Sequence, residues 1–191
     1  MRCMAANGAP GSPVPRTPDF DLSMDEIRAV TAFNLACALR VIDLFEAAHP
    51  HDERPRQALA AAADFVRGGP RSRAQRSSAP AAHRAAKEVS PAASHAAMAA
   101  GDAAASAYVH PLADGAQVGH VLRGPAHTVL ALQLGPVNPL ARAEAEAAVL
   151  QDATATLVEV LRRYPRVSGR GRDIAEVMDA LDARLRAGTS G

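Results

Sequence analysis

The segment from Pro80 to Pro111 constrains the fold more than any other part of the chain, because 14 of its 32 residues are alanine. Alanine is the best intrinsic helix former, so this segment is predicted to be helical. Alanine helices are thin and can approach one another closely, which leaves their few large polar side chains in a crowded interior or along a groove. The distinctive chemistry of the chain is therefore expected to come from its histidines.

Helix signals continue along the rest of the chain, and no convincing strand pattern occurs. Ser23 and Glu26 form a capping box that begins a mostly apolar helix, predicted over 24–48 as the hydrophobic axis of the fold. Its predicted core residues are Phe33, Cys37, Val41, Leu44 and Phe45. The other predicted helices span about 53–67, 72–88 with a kink or restart at Pro80, 91–109, 112–134, 140–164 and 173–187. The fold class is thus all-α, a single Ala-rich bundle of about six to eight helices without a sheet.

The domain organisation follows from the distribution of proline and glycine. Residues 1–19 are rich in both and show no periodicity, so they are predicted to be a disordered leader. Residues 22–187 are predicted to form one helical domain, which suits a chain of 191 residues, and residues 188–191 a flexible tail. Met24 stands at the first helix start, so the sequence leaves open whether translation begins at Met1 or Met24.

Composition excludes several classes of function. The formal net charge of +1 provides no strong global field for nucleic acid or a membrane, and no stretch has the length and apolarity of a transmembrane helix. Cys3 and Cys37 form no disulfide framework, and the N-terminus has no apolar signal region, so a cytoplasmic protein is expected. No cofactor is predicted. A homo-oligomer stays open, with helix 24–48 and its Asn34 as a candidate interface.

Four segments resemble a known bacterial family: LFEAAHPHDERPRQAL (44–59), AAHRAAKE (81–88), AYVHPLADGAQVGHVL (107–122) and the closing LRRYPRV with LDARLR. They are similar to the "putative immunity protein" family of polymorphic toxin systems, whose actinobacterial members often carry the label "exonuclease SbcC". The resemblance implies an all-helical, histidine-bearing bundle that neutralises a toxin. The chain departs from the family pattern where Asp102 follows Gly101, since a histidine is usual there. The label is not supported, because an ATPase subunit needs a P-loop and the only lysine, Lys87, has no glycine loop before it.

The leading functional hypothesis is a non-catalytic binding protein that occupies a toxin partner through a helical surface. Pro111 disfavours helix at the preceding residue, so the chain should turn between the two helices it separates. Long polar side chains near this turn would give a protein partner directional contacts, or would hydrogen-bond one another and cap the junction. The partner-binding candidates are Tyr108, His110, Asp114, Gln117 and His120. No enzyme is predicted, since no serine lies in a GxSxG motif.

The alternative hypothesis is a metal-dependent or nucleic-acid-associated protein. Two pairs of residues spaced seven apart could bring three nitrogens and a carboxylate together if their helix faces met. These weak metal candidates are His95, Asp102, His120 and His127. No HExxH or paired Glu-x-x-His motif supports them, so no metal is predicted. Arginine-rich stretches could contact phosphates, or could be solvated loop ends. No aromatic residues interleave them, so the sequence does not favour nucleic acid as a partner. The phosphate-contact candidates are Arg71, Arg73, Arg76, Arg170 and Arg172.

Overall fold

A computed structural model describes residues 18–166 and 173–188 of the chain. In these two ranges it has nine α-helices, two short 3-10 helices and no strand. The α-helices are α1 Met24–Leu39, α2 Ile42–Ala48, α3 Arg54–Val66, α4 Arg73–Ala85, α5 Pro91–Ala105, α6 Gly115–Leu134, α7 Arg142–Leu150, α8 Ala155–Arg163 and α9 Asp173–Ala187. The 3-10 helices are Ala86–Glu88 and Ser106–Tyr108. The all-α prediction is confirmed, with slightly more helices than expected. Most of the predicted leader and tail, 1–17 and 189–191, lies outside the described residues.

Two helices that were predicted to be continuous are each divided into two. The helix expected over 24–48 breaks at Val41, whose φ of −125° and ψ of −4° are not helical, and so becomes α1 and α2. The helix expected over 140–164 breaks before α8, where the Thr154 hydroxyl caps the new helix. Arg40 and Asp152, one at each break, form a two-pronged ion pair with N···O distances of 2.8 and 3.0 Å. This ion pair therefore holds the two helix breaks next to each other.

The alanine helix α5 lies at the centre of the bundle and contacts α1, α2, α3, α4 and α6. The hydrophobic axis was predicted to be the first helix, and that prediction is wrong in this respect. A thin central helix allows many neighbours to pack close to one axis. The buried alanines of α5 are Ala92, Ala93, Ala96, Ala97, Ala99, Ala100, Ala103 and Ala104. Larger side chains from α2 and α3, among them Phe45 and Leu59, pack against them.

The predicted core of the first helix is confirmed at four positions of five. Phe33, Cys37, Val41 and Phe45 are at most 2% exposed. Leu44 is only half-buried, because the break at Val41 turns α2 away from the direction of α1. Burial raises the pKa of the Cys37 thiol, so it behaves as an apolar core side chain.

Two prolines lie inside helices without interrupting them. The helix α4 runs through Pro80, where a kink or restart was predicted, and α6 runs through Pro125. Each proline withholds one amide from its helix, which costs stability in isolation. Packing against the surrounding helices outweighs this cost here. Among the residues that the structure describes, no helix has both the length and the apolar character needed to cross a bilayer.

Candidate functional site

The turn between α5 and α6 is built largely by the predicted partner-binding residues. The chain leaves α5 through the 3-10 helix Ser106–Tyr108, and the Asp114 side chain caps α6 by accepting a hydrogen bond from a first-turn amide at 2.9 Å. The Gln117 side-chain oxygen accepts from the His110 amide at 2.9 Å. The Tyr164 hydroxyl donates to the His110 carbonyl at 2.8 Å. These contacts fix the turn at His110, where Pro111 predicted it.

The segment before α1 closes this turn from outside. The Asp19 amide donates to the Pro111 carbonyl at 2.8 Å, and an Asp19 carboxylate oxygen accepts from the Ala113 amide at 2.7 Å. The junction, defined here as residues 108–117, is therefore held by the capping of α6, by α8 and by residues next to α1. Such a turn has little conformational freedom to lose when a partner binds.

The five partner-binding candidates differ in their solvent exposure. His110 is exposed, whereas Tyr108, Asp114, Gln117 and His120 are half-buried. Asp114 and Gln117 also serve the turn itself, so their side chains have a structural task whatever else they do. His120 lies one helical turn beyond Gln117, and burial, followed by the nearby Arg123, lowers the pKa of its imidazole.

A buried carboxylate lies between α4, α5 and α6. Asp102 on α5 is 4% exposed, and its Oδ1 lies 3.2 Å from His83 Nε2 on α4 and 4.0 Å from an Arg123 nitrogen on α6. Its Oδ2 lies 3.9 Å from His127 Nε2 and has no hydrogen-bond partner. A buried carboxylate requires compensating charge or donors, and here the exposed Arg123 and the imidazoles surround it.

His127 connects this carboxylate to a second histidine. The Nδ1 atoms of His95 and His127 are 2.8 Å apart, so one ring donates a hydrogen bond and the other accepts it. Burial lowers the pKa of His127 to about 4, although Asp102 opposes the shift, and burial also lowers the pKa of His95. Both rings are therefore neutral at neutral pH. Two protonated rings could not share this contact.

Two glycines create the space for the cluster. A Cβ atom on Gly101 would lie 2.3 Å from His83 Cδ2, and one on Gly124 would lie 2.5 Å from Asn34 Oδ1. Asn34 donates to the Val30 and Val121 carbonyls at 3.1 and 3.0 Å, so its amide joins α1 to α6 within one chain. Gly119 and Gly115, by contrast, admit no neighbouring backbone: the first is covered by Arg123, and the second faces open space.

The metal candidates are only partly brought together. His127 lies beside both His95 and Asp102, whereas His120 interacts with Asp102 only through longer-range electrostatics in the part of the chain that the structure describes. Within the described ranges, no three or more His, Cys, Asp or Glu side chains are arranged to hold a metal ion. The contact between His83 and Asp102 joins two helices and was not predicted from the sequence. The glycine beside Asp102 was the available signal, because a helical glycine admits a bulky ring from the neighbouring helix.

A second site forms at the start of α4. Arg71, Ser72, Arg73, Arg76 and Ser77 line a cleft of about 550 Å³, called here the arginine groove. The Tyr108 hydroxyl donates to the Ser72 carbonyl at 2.9 Å, so the junction borders this groove. The structure therefore places three predicted phosphate-contact arginines beside a predicted partner-binding residue. Arg170 and Arg172, the other two, lie outside the described residues.

The HPHDERPR segment forms the turn between α2 and α3. Arg54 binds the Asp52 carboxylate at distances down to 2.5 Å, and Arg56 binds Glu46. Arg56 also lines a cleft of about 540 Å³, together with Pro50 and Asp52. Because the charges of this turn neutralise one another, its conspicuous sequence is explained by local ion pairing.

The fold and these sites define an all-α bundle with an extensively hydrogen-bonded turn between two of its helices. Residues 21–118, just over half of the chain, match the family model described as Imm-5 like putative immunity protein. The chain belongs to this family. The matched range includes His83, Asp102 and the junction, and ends in the first turn of α6. Comparisons with curated proteins and with solved structures give no match.

Proposed function

We propose that this protein is a non-catalytic binding protein that neutralises a toxin by occupying it through the helical surface at the junction. The observation that carries the proposal is membership of the immunity protein family, over a match that includes the junction. The cysteine usage of the sequence favours the cytoplasm as the place where the two proteins meet.

The junction suits a binding surface because its backbone is fixed before the partner arrives. His110 extends into solvent from a turn that Gln117 and Tyr164 hold in place through its amide and carbonyl. Asp114 is also partly accessible and brings a carboxylate to the same turn. Association then costs little ordering entropy, and the neighbouring imidazole and carboxylate groups can make directional contacts with a partner.

The experiment is co-expression in a sensitive bacterium with the toxin domains encoded beside this gene. Wild-type protein should restore growth against one of them. The double substitution His110→Ala with Asp114→Asn should abolish protection and change thermal stability little. Asparagine caps a helix as well as aspartate does, so this variant removes the charge and retains the capping of α6.

A matched control carries the same substitutions at exposed positions away from the junction, His51→Ala with Asp43→Asn. This control should protect as the wild type does. Failure of the wild-type protein to protect against any adjacent toxin would refute the proposed function. Full protection by the junction variant would place the binding surface elsewhere, and loss of its fold would show that these residues are structural.

A further inference from the structure

The arginine groove is a cluster of basic side chains without a carboxylate partner among the residues that the structure describes. Several arginines elsewhere in the chain pair with acids, as Arg40 does with Asp152 and Arg163 with Glu26. Arg71, Arg73 and Arg76 form no ion pair with any Asp or Glu that the structure describes. No acidic residue occurs in the sequence from 67 to 87, so none is available nearby along the chain. The groove is thus a local positive site on a protein whose net charge is only +1.

Tyr108 holds two of the arginines in position. The guanidinium carbons of Arg71 and Arg76 lie 5.8 and 5.0 Å from the centre of the Tyr108 ring, within the range of cation–π contacts. The ring is itself fixed by its hydroxyl, which donates to the Ser72 carbonyl. The Arg71 Nε atom is buried and has no hydrogen-bond partner. The acceptor for this donor must come from solvent or from a ligand in the groove.

The start of α4 adds to the positive character of the groove. Ser72 and Gln75 form a capping box at this end, and no acidic side chain occupies the first turn. The capping box satisfies two amides at this end, and the helix dipole still makes the end partially positive, which favours a nearby anion. Three guanidinium groups, a helix N-terminus and a cleft of about 550 Å³ therefore converge on one place.

We propose that the arginine groove binds carboxylates on an acidic segment of the protein partner. The identity of that partner as a protein rests on the proposed function. Guanidinium groups bind carboxylates through two parallel hydrogen bonds, which gives both strength and direction. Nucleic acid fits less well, because the Tyr108 ring already contacts two guanidinium groups and is not free to stack on a base. The small net charge also provides little long-range attraction to a polyanion.

The test uses the full chain and two labelled probes of similar length and charge, a hexaglutamate peptide and a hexathymidylate strand. Fluorescence anisotropy at low and at physiological salt measures binding of each. The wild type should bind the peptide more tightly than the strand. Arg73→Glu with Arg76→Glu should weaken peptide binding at least tenfold. The control Arg84→Glu with Lys87→Glu makes the same change in net charge at exposed positions outside the groove, and should leave binding within about twofold.

Three results would overturn the proposal: no binding of the peptide, equal weakening by the control, or tighter binding of the thymidylate strand with the same dependence on Arg73 and Arg76. The growth assay separates this proposal from the proposed function. If the wild type protects against a toxin and the groove variant protects equally, the groove proposal is wrong and the function stands. If the peptide result is as expected and no toxin is neutralised, the carboxylate groove is supported and only the proposed function is wrong.

Discussion

Replacing Gly101 by alanine tests whether the close approach of α4 and α5 is required. The added Cβ would lie 2.3 Å from His83 Cδ2, 2.5 Å from His83 Nε2 and 2.9 Å from the Ala79 carbonyl oxygen. Carbon atoms in contact prefer separations of about 3.5–4.0 Å, so the ring must move by roughly 1 Å or more. The His83 side chain is 30% exposed and can swing outward, but the Ala79 oxygen belongs to the backbone and moves only if α4 shifts.

The expected size of the effect comes from two opposing contributions. Overpacking of a well-packed interior costs about 1–3 kcal/mol. Alanine gains about 1 kcal/mol over glycine inside a helix. The net result should be a loss of up to about 2 kcal/mol in the free energy of unfolding. Urea unfolding followed by circular dichroism at 222 nm would measure it.

Gly115 offers a matched control on the neighbouring helix, because a Cβ there would meet no atom within 4 Å. Gly115→Ala should be neutral or stabilise by up to about 1 kcal/mol. Gly101→Ala placed in a His83→Ala background should cost less than it does in the wild type, since part of the clash is removed. If Gly101→Ala were stabilising by the same amount as Gly115→Ala, the added Cβ would meet no obstacle and the close packing of α4 on α5 around His83 would be wrong.

Two further predictions concern the core and the histidine pair. Phe45→Ala should lower the free energy of unfolding by about 3–5 kcal/mol in urea melts, and Leu44→Ala by only about 1 kcal/mol, because Phe45 is fully buried and Leu44 is not. Equal losses for the two variants would contradict the break between α1 and α2. The pKa of His127 is about 4 in the folded protein, below its ordinary value of 6.5, so the unfolded chain binds more protons between these values and stability falls as the pH falls. Lowering the pH from 7.5 to 5 should therefore reduce the free energy of unfolding by about 2 kcal/mol through His127. The variant His127→Gln, which lacks this imidazole, should lose less stability than the wild type over the same range.

The sequence predicted the helices well and the places where they break poorly. The capping box at Ser23 is a local signal and was found where it was expected, with both of its hydrogen bonds formed. The break between α1 and α2 has no proline or glycine to mark it. Arg40 and Asp152 join the two breaks across 112 positions of sequence, and periodicity within one helix cannot reveal such a partner. Thr154 was a usable capping signal that an apolar pattern on both sides concealed.

Individual residues of the candidate site could be predicted from the sequence, but most contacts between them could not. The turn at His110 followed from Pro111, because proline restricts the backbone of the residue before it. The spacing of seven residues placed His95 and Asp102 on one face, yet it could not show that His127 would reach both of them and His120 would not. That outcome depends on the rotation of α6 against α5. The packing at Gly124 and Asn34 governs this rotation and is set by three helices together.

The buried polar cluster compensates for what an alanine core lacks. Methyl groups fill space between close helices, but they resemble one another so much that a helix could slide or rotate by one turn and still bury alanine against alanine. Asn34, Asp102 and His83 remove that freedom, since each meets a specific atom or a specific glycine on another helix. A misplaced helix would break the Asn34 hydrogen bond to α6 and separate His83 from Asp102, at a cost larger than any single methyl contact supplies. Asn34, Asp102 and His83 therefore select one packing of the alanine helices over the alternatives. That packing in turn positions the junction beside the arginine groove.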